Sequence, residues 1–420
     1  MIWLFPFILL YQIYIPTTEL PAVPLEYIYL SMYFVFMYCS LKMFKWLETQ
    51  KILIFYLLFL FTLILGLTYS PDKTMGIQVI FYQSVGLFAI SFGFLCRERN
   101  VPIDKIFSSI VKWGTPIAIV NILFFIFPSI EGKYLHSLIA QVFVEPMDIV
   151  GVYDIRRNNI IDPYKSGTFF TNTNEAAVFY QILFWMSFSL FLKKGNRSYL
   201  IISVFYLLAI LTAYSRAGML SLAICILITI TINIKRFSFW KKFMWFFTPI
   251  AGLFFILSAN GFFTHISGRF QKSTIEDDPR VLIWEFIWEL LKDRPILGLG
   301  FGGWENTYPN YALSVGLAAT FPPHNLFVHL WTWCGVLGVL VFLLMFIYIF
   351  SNSLKYYFSG DVLQLSLICS LLTVAVQGMF DNWFLNDFRI SSLLYFLVGI
   401  LMYRAINSRC TAFKNERSMS

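Results

Sequence analysis

Charge is scarce in this sequence. Only 13% of its 420 residues are Asp, Glu, Lys or Arg, while 58% are hydrophobic and 20% aromatic. A soluble domain carries roughly 25% charged residues, so the deficit excludes a water-soluble globule and implies an integral membrane protein. Acidic groups are the rarer sign, 23 against 31 basic ones, for a formal net charge of +8. On a soluble chain that surplus would suggest nucleic acid. In a membrane protein Lys and Arg fix topology, and no nucleic-acid partner is expected. Cysteine is sparse too. Cys39, Cys96, Cys225, Cys334 and Cys369 fall in or beside apolar runs, and Cys410 lies in the C-terminal tail. Neither a disulfide framework nor a thiolate metal site is expected from them, only free thiols packing as small hydrophobes. No metal and no cofactor is expected. The opening Met1-Ile2-Trp3-Leu4-Phe5-Pro6 has no basic n-region and no small-x-small cleavage site, and reads as a retained first span.

What is abundant is long apolar runs. A helix crosses a bilayer in about 20 mostly apolar residues. That criterion places twelve spans, at about 2–15, 25–42, 52–69, 76–96, 106–128, 172–192, 199–213, 217–234, 243–263, 326–350, 362–380 and 389–405, or eleven if the seventh and eighth are one. The expected fold is all-α and polytopic, a single integral membrane domain over residues 1–420. With the N-terminus inside, the clusters Lys42/Lys45/Lys51, Arg97/Arg99/Lys105, Lys193/Lys194/Arg197, Lys235/Arg236/Lys241/Lys242 and Arg404/Arg409/Lys414/Arg417 all become cytoplasmic, in keeping with the positive-inside bias. Both termini are then cytoplasmic. The short outer loops keep only Lys73, Arg216 and Arg389, and two long loops, 129–171 and 264–325, lie on the outer face. Arg156, Arg157, Lys165, Arg269, Lys272, Arg280, Lys292 and Arg294 sit on those loops, where topology gives no reason for them. They raise the question of what anion they meet.

The polar stretch from His265 to Asn325 is long enough to build a site of its own. Within it, Arg280 opens an apolar helix whose polar members Glu285, Glu289 and Lys292 recur at i, i+4 and i+7, the pattern of an interfacial helix. Beside the positive end of that helix Arg280 could hold a phosphate, or it could pair with Asp277 or Asp278. Arg216 lies in a tight break between two apolar spans, Tyr214-Ser215-Arg216-Ala217-Gly218. An ionisable residue there costs up to ~2.5–3.5 kcal/mol at full depth; contact with a lipid headgroup or carbonyl fits it, and so does an anion site. His324 is the sharpest candidate: Pro322-Pro323 fixes an extended entry, Asn325 can cap, and the next span begins at once. An imidazole at the mouth of a bundle suits proton transfer at neutral pH. His136 and His265 lie in loops, and His329 is expected to pack inside the bundle. Asn172 and Asn174 enter a span, where they could bind sugar hydroxyls or merely cap the helix. Gly298, Gly300, Gly302 and Gly303 have no preceding strand and no following P-loop Lys, and read as tight turns rather than a nucleotide loop.

Taken in order, Ser166-Gly167-Thr168-Phe169 with Asn172 and Asn174, Ser215-Arg216-Ala217-Gly218, Arg280 with Trp284, Pro295-Ile296-Leu297-Gly298-Leu299-Gly300, and Pro323-His324-Asn325 with Gly335 and Gly338 downstream resemble the O-antigen ligase superfamily, which includes polymerases of surface polysaccharide repeats. The resemblance covers about 165–345. It implies a GT-C-type, metal-independent glycosyltransferase fold with a large extracytoplasmic loop, in the bacterial inner (cytoplasmic) membrane. It also implies a glycan donor on undecaprenyl pyrophosphate and transfer at the outer leaflet to a hydroxyl of another repeat or of a lipid A–core. Arg216 and Arg280 take the places of pyrophosphate-binding arginines, and His324 that of the histidine that activates the acceptor. Arg157 and Arg269, on the two long loops, are expected to add to the anion site, and Asn172 and Asn174 to the sugar site. Membrane lipids and a chain-length regulator are the further partners expected. The usual Ser-Arg-Gly of the family reads Ser-Arg-Ala here. A flippase of lipid-linked sugars is the rival reading; it would be expected to show mid-span charges and internal repeats, and neither stands out.

Overall fold

Apolar length builds most of this molecule. The structure, a computed structural model, describes residues 9–11, 14–15, 23–24, 46, 50–144, 165–170, 172–234, 240–241, 243–244, 279–385 and 387–403. In chain order its helices are α1 (Lys51–Thr68), α2 (Lys73–Glu98), α3 (Ile103–Ile126), α4 (Pro128–Leu135), α5 (Leu138–Phe143), α6 (Thr173–Lys194), α7 (Arg197–Ala213), α8 (Arg216–Ile232), α9 (Pro279–Leu291), α10 (Gly303–Ser314), α11 (Leu326–Phe358), α12 (Gln364–Gly378) and α13 (Phe388–Met402). Among the described residues, α1, α2, α3, α6 and α11 are long and apolar enough to cross a membrane, and α7, α8, α12 and α13 are shorter apolar helices. The chain is thus a largely helical, multi-pass membrane protein. The expected spans 25–42 and 243–263 lie outside the described residues apart from 243–244. Of the span expected at 2–15, residues 9–11 are helical, whereas Tyr14–Ile15 pairs antiparallel with Val23–Pro24. Ile15 precedes Pro16, and a residue before proline is pushed out of helical space into extended backbone.

The bundle is centred on α6, buried along nearly its whole length and packed against α3, α7 and α12. α13 lies against α2, and α1 against α11. The α2–α13 crossing is close because both helices present glycine there: a Cβ on Gly93 would sit 2.7 Å from the Ile400 nitrogen, and one on Gly399 would collide with the Ile90 carbonyl oxygen. Small residues at such contacts let helix backbones approach within a membrane, where no hydrophobic force drives helices together. Cys96, Cys225, Cys334 and Cys369 are buried free thiols, as expected, while Cys39 and Cys410 lie outside the described residues.

Helices run through the bundle in both directions, and their termini gather at two distinct ends. At one, Lys193 and Lys194 at the C-terminus of α6 reach Asp104 in the first turn of α3, at 2.7 and 3.7 Å. At the other lie the N-termini of α6, α8, α11 and α13 and the C-terminus of α12. The 22 residues of α6 separate the two ends by about 33 Å.

The expected long loops carry structure of their own. α4 and α5 occupy part of 129–171. α9 and α10 occupy much of 264–325 and share a small core of Ile283, Ile287, Leu291, Trp304, Tyr308 and Ala312. Phe286 stacks on Tyr311, ring centroids 4.0 Å apart. The helix expected at 281–292 therefore forms, with Glu285, Glu289 and Lys292 exposed, but its apolar face is taken up by α10.

Candidate functional site

Each polar group at the α6/α8/α11 end is placed by a helix terminus. Asn172 caps α6, accepting from the Asn174 amide at 2.9 Å. Ser215 caps α8, accepting from the Gly218 amide at 3.0 Å. Asn325 caps α11, accepting from the amides of Phe327 and Val328 at 2.9 and 3.1 Å. Three helix N-termini thus converge, each bringing the positive end of a macrodipole.

The caps are wired together through residues that sequence reasoning did not single out. Asp381 Oδ2 accepts from the side-chain amides of Asn172 (3.2 Å) and Asn174 (3.0 Å). Ser215 Oγ donates to Asn174 Oδ1 at 2.6 Å, which leads directly to Arg216. Asn382 Nδ2 donates to His329 Nδ1 at 2.6 Å, and Asn325 Nδ2 to the Met379 carbonyl at 3.1 Å. His329 is buried and packs its ring on Trp333, as expected of a histidine inside the bundle. The 379–382 connection therefore ties the start of α11, beside His324, to the start of α8, beside Arg216. The signal that could have found it is the pair Asp381-Asn382 between two apolar spans, since an ionisable side chain there is costly unless it works. Deeper down, Gln181 Nε2 donates to the Gly218 carbonyl and to Ser221 Oγ, at 2.8 and 3.0 Å. Thr373 Oγ1 donates to Gln181 Oε1 at 3.0 Å. Interhelical bonds of this kind hold α8 to α6 and α12 where water is absent.

Indole groups hold the loop that carries His324. Trp304 Nε1 donates to the Phe321 carbonyl at 3.0 Å, and Trp284 Nε1 to the Pro323 carbonyl at 2.9 Å. The second bond fastens α9, with Arg280 in its first turn, to the residue before His324. Phe321 meets the His324 ring edge-on at 5.6 Å. Among the described residues four non-glycine positions have positive φ, namely Asn100, Thr168, Tyr214 and His324, and the last three lie at this end of the bundle. Such conformations cost about 1–3 kcal/mol each and collect where function holds them.

Arg216 is exposed; Arg280 and His324 are partly buried. α7 and α8, at 17 residues each, are about 26 Å long, short of the ~30 Å hydrocarbon core, so the turn between them sits within reach of the apolar edge. Lys165 is one of the outer-loop cations that topology leaves unexplained. The Ser166 amide donates to the Thr212 carbonyl at 3.1 Å, which pins Lys165 beside the α7–α8 turn. Burial, and then the Arg216 guanidinium beside it, push the Lys165 ammonium below its usual range. Arg389, one of the few basic residues of the short outer loops, is buried in an ion pair with Asp387 (3.1 Å), with its guanidinium over the Phe170 ring. Arg157 and Arg269 lie outside the described residues. Among the sequence candidates, the segments bearing Arg216, Arg280, His324, Asn172 and Asn174 are linked by the bonds above.

The glycine series has a structural duty. At Cys334 and Gly335 the backbone of α11 leaves helical geometry, and the freed groups are paired with Pro295–Gly300. The amides of Leu299 and Gly300 donate to the Thr332 carbonyl at 2.7 and 3.1 Å, and the Val336 amide donates to the Pro295 carbonyl at 3.0 Å. A Cβ on Gly335 would collide with the Ile296 carbonyl, and one on Gly298 with that of Trp331. Further along, the Phe301 amide donates to Ser70 Oγ at 2.7 Å and the Asp72 amide to the Phe301 carbonyl at 3.0 Å. The segment is a strap that fastens the outer helices to α11 and to the α1–α2 turn. The reading as tight turns holds.

A helical multi-pass membrane protein with a polar cluster built on converging helix N-termini is the class that fold and site define. Residues 201–343 match the family model described as O-antigen ligase. That region, about a third of the chain, holds Arg216, Arg280 and His324 and agrees with the resemblance carried by the motifs. No curated protein matches the sequence.

Proposed function

We propose that this protein transfers a glycan from undecaprenyl pyrophosphate to a sugar hydroxyl at the outer leaflet of a bacterial inner membrane, as a GT-C-type enzyme. The observation that carries the reading is the wiring of the Ser215-Arg216 cap, through Asn174, Asp381 and Asn382, to the helix that follows His324. The site lies at the end of the bundle opposite Lys193, Lys194 and Asp104. Basic ends tend to face the cytoplasm, which supports a site on the outer face and cytoplasmic termini.

The chemistry follows from the residue types. The acceptor hydroxyl gives its proton to His324 as its oxygen bonds the anomeric carbon. The bond from that carbon to the pyrophosphate oxygen breaks, and the electron pair leaves with the lipid pyrophosphate. Arg216 and Arg280, with Lys165 beside Arg216 and Arg157 and Arg269 from the loops, stabilise the charge that develops there. Lipid pyrophosphate is already a good leaving group, so no nucleotide is needed. Asn172 and Asn174 hold the frame around the transferred sugar. The acceptor is either a lipid A–core or another lipid-linked repeat, and a chain-length regulator fits the second case.

Arg216→Ala and Arg280→Ala are each expected to slow transfer by about 10²-fold or more, and His324→Ala by about 10²–10⁴-fold, at unchanged protein level in the membrane. Normal surface polysaccharide in all three variants would defeat the proposal. Deleting the gene separates the two acceptors by electrophoresis: single repeats on core follow loss of a polymerase, and bare core with accumulated lipid-linked chains follows loss of a ligase.

A further inference from the structure

The outward side of α9 carries a groove of about 610 Å³ lined by Val281, Trp284, Glu285, Trp288 and Glu289. Ile283, Ile287 and Leu291 on the other side seat the helix on α10. Trp288 is 62% exposed and meets Trp331 edge-on at 5.9 Å. Trp284 is half-buried and donates to the Pro323 carbonyl, so one end of the groove abuts the residue before His324. The four-residue offset puts Trp288 about 6 Å further along the helix.

The lining selects a chemistry. An indole face is broad, rigid and electron-rich, suited to the C–H face of a sugar ring. Ionised carboxylates are acceptors only; Glu285 and Glu289 therefore match hydroxyl or ammonium donors, and Glu289 is also bonded by Lys292. The same carboxylates repel phosphate and carboxylate ligands and fit poorly among lipid tails. Arg280 is the one basic residue within α9 and lies at its very start; beyond it the groove is lined by acidic and aromatic groups, which suits the sugar rings of an acceptor rather than a phosphate.

We infer that this groove binds the acceptor glycan, with Trp284 and Trp288 stacking on its rings and Glu285 and Glu289 accepting from its hydroxyls, so that the chain end is delivered to His324. The purpose of the groove rests on the transferase reading; glycan binding by it does not.

The test uses full-length protein in lipid nanodiscs and the oligosaccharide released by mild acid from the host's own surface polysaccharide, read by saturation-transfer NMR. Wild-type protein is expected to transfer saturation to the ring C–H protons. Trp288→Ala and Trp288→Leu are expected to bind about tenfold more weakly through lost stacked area. Trp288→Phe keeps most of the affinity, and Glu285→Gln weakens it. Trp288→Leu preserves affinity for lipid while removing the aromatic face, so binding equal to wild type in that variant would put the indole in the membrane and overturn the inference. Absence of binding by the wild type would overturn it as well. Glycan transfer that persists with an unchanged acceptor KM in Trp288→Ala would sink the groove alone and leave the transferase intact. Binding that persists while Arg216→Ala and His324→Ala both transfer normally would do the reverse.

Discussion

Three residues at the site, Thr168, Tyr214 and His324, adopt a backbone that L-residues disfavour, with φ near +50°. Tyr214 ends α7 so abruptly that Ser215 can begin α8 at once, and this turn is what aims Arg216. Arg216, Arg280 and His324 were legible as candidates because each is a polar group at the edge of an apolar run. Asp381 was not, since its importance comes from partners far along the chain; Lys165 was legible only as one of the outer-loop cations that topology leaves unexplained, and its place beside the α7–α8 turn comes from the Ser166–Thr212 bond. Lys165 yields a pH prediction. A pyrophosphate between Lys165 and Arg216 favours the charged ammonium, so donor affinity is full below the depressed pKa and declines as pH rises through it, earlier than for an ordinary lysine. Stability of the unliganded protein has the opposite sign. The unfolded chain binds the proton more tightly, so stability rises with pH across that window. Lys165→Arg stays charged and is expected to flatten the rise in donor KM that sets in below the ordinary lysine range; superimposable profiles for variant and wild type would remove Lys165 from the donor site.

Helices were the most legible elements. α6, for example, was expected at 172–192 and forms at Thr173–Lys194, because a long apolar run has few other ways to satisfy its backbone in lipid. The break in α11 was not legible. Gly335 is one small residue in a continuous apolar run, and only the approach of Pro295–Gly300 from another part of the chain reveals why it must be glycine. Its φ of +69° with ψ of −175° belongs to a region that is essentially glycine-only, and a Cβ there would strike the Ile296 carbonyl. Gly335→Ala is accordingly expected to cost about 3 kcal/mol from backbone strain and overpacking together, seen as a lower midpoint in thermal unfolding of the detergent-solubilised protein. A midpoint within error of wild type would mean that the strap does not need this close approach.

At the scale of the whole molecule, orientation is the quantity to measure. Asn196 caps α7 beside the Lys194 end of α6, whereas Asn310 lies in α10, which follows Phe301 at the opposite end of the bundle. In a cysteine-free background, Asn310→Cys is expected to react with a membrane-impermeant maleimide on intact cells, and Asn196→Cys only after the membrane is opened. The inverse pattern would place the site in the cytosol and exclude transfer at the outer leaflet. The expected direction of the bundle comes from basic residues alone and is what this labelling tests, whereas the docking of α9 and α10 on it had no local signal, since nothing nearby in sequence announces which surface a loop helix will meet. The strap has a consequence for how the chain tolerates change. It grips α11 through main-chain atoms, so the exposed side chains of Ile296 and Leu297 take little part in the hold. Exhaustive substitution along this clasp would therefore leave 296 and 297 permissive and 298 and 335 intolerant, a joint whose fit is written in the peptide backbone and whose surface is free to be rewritten.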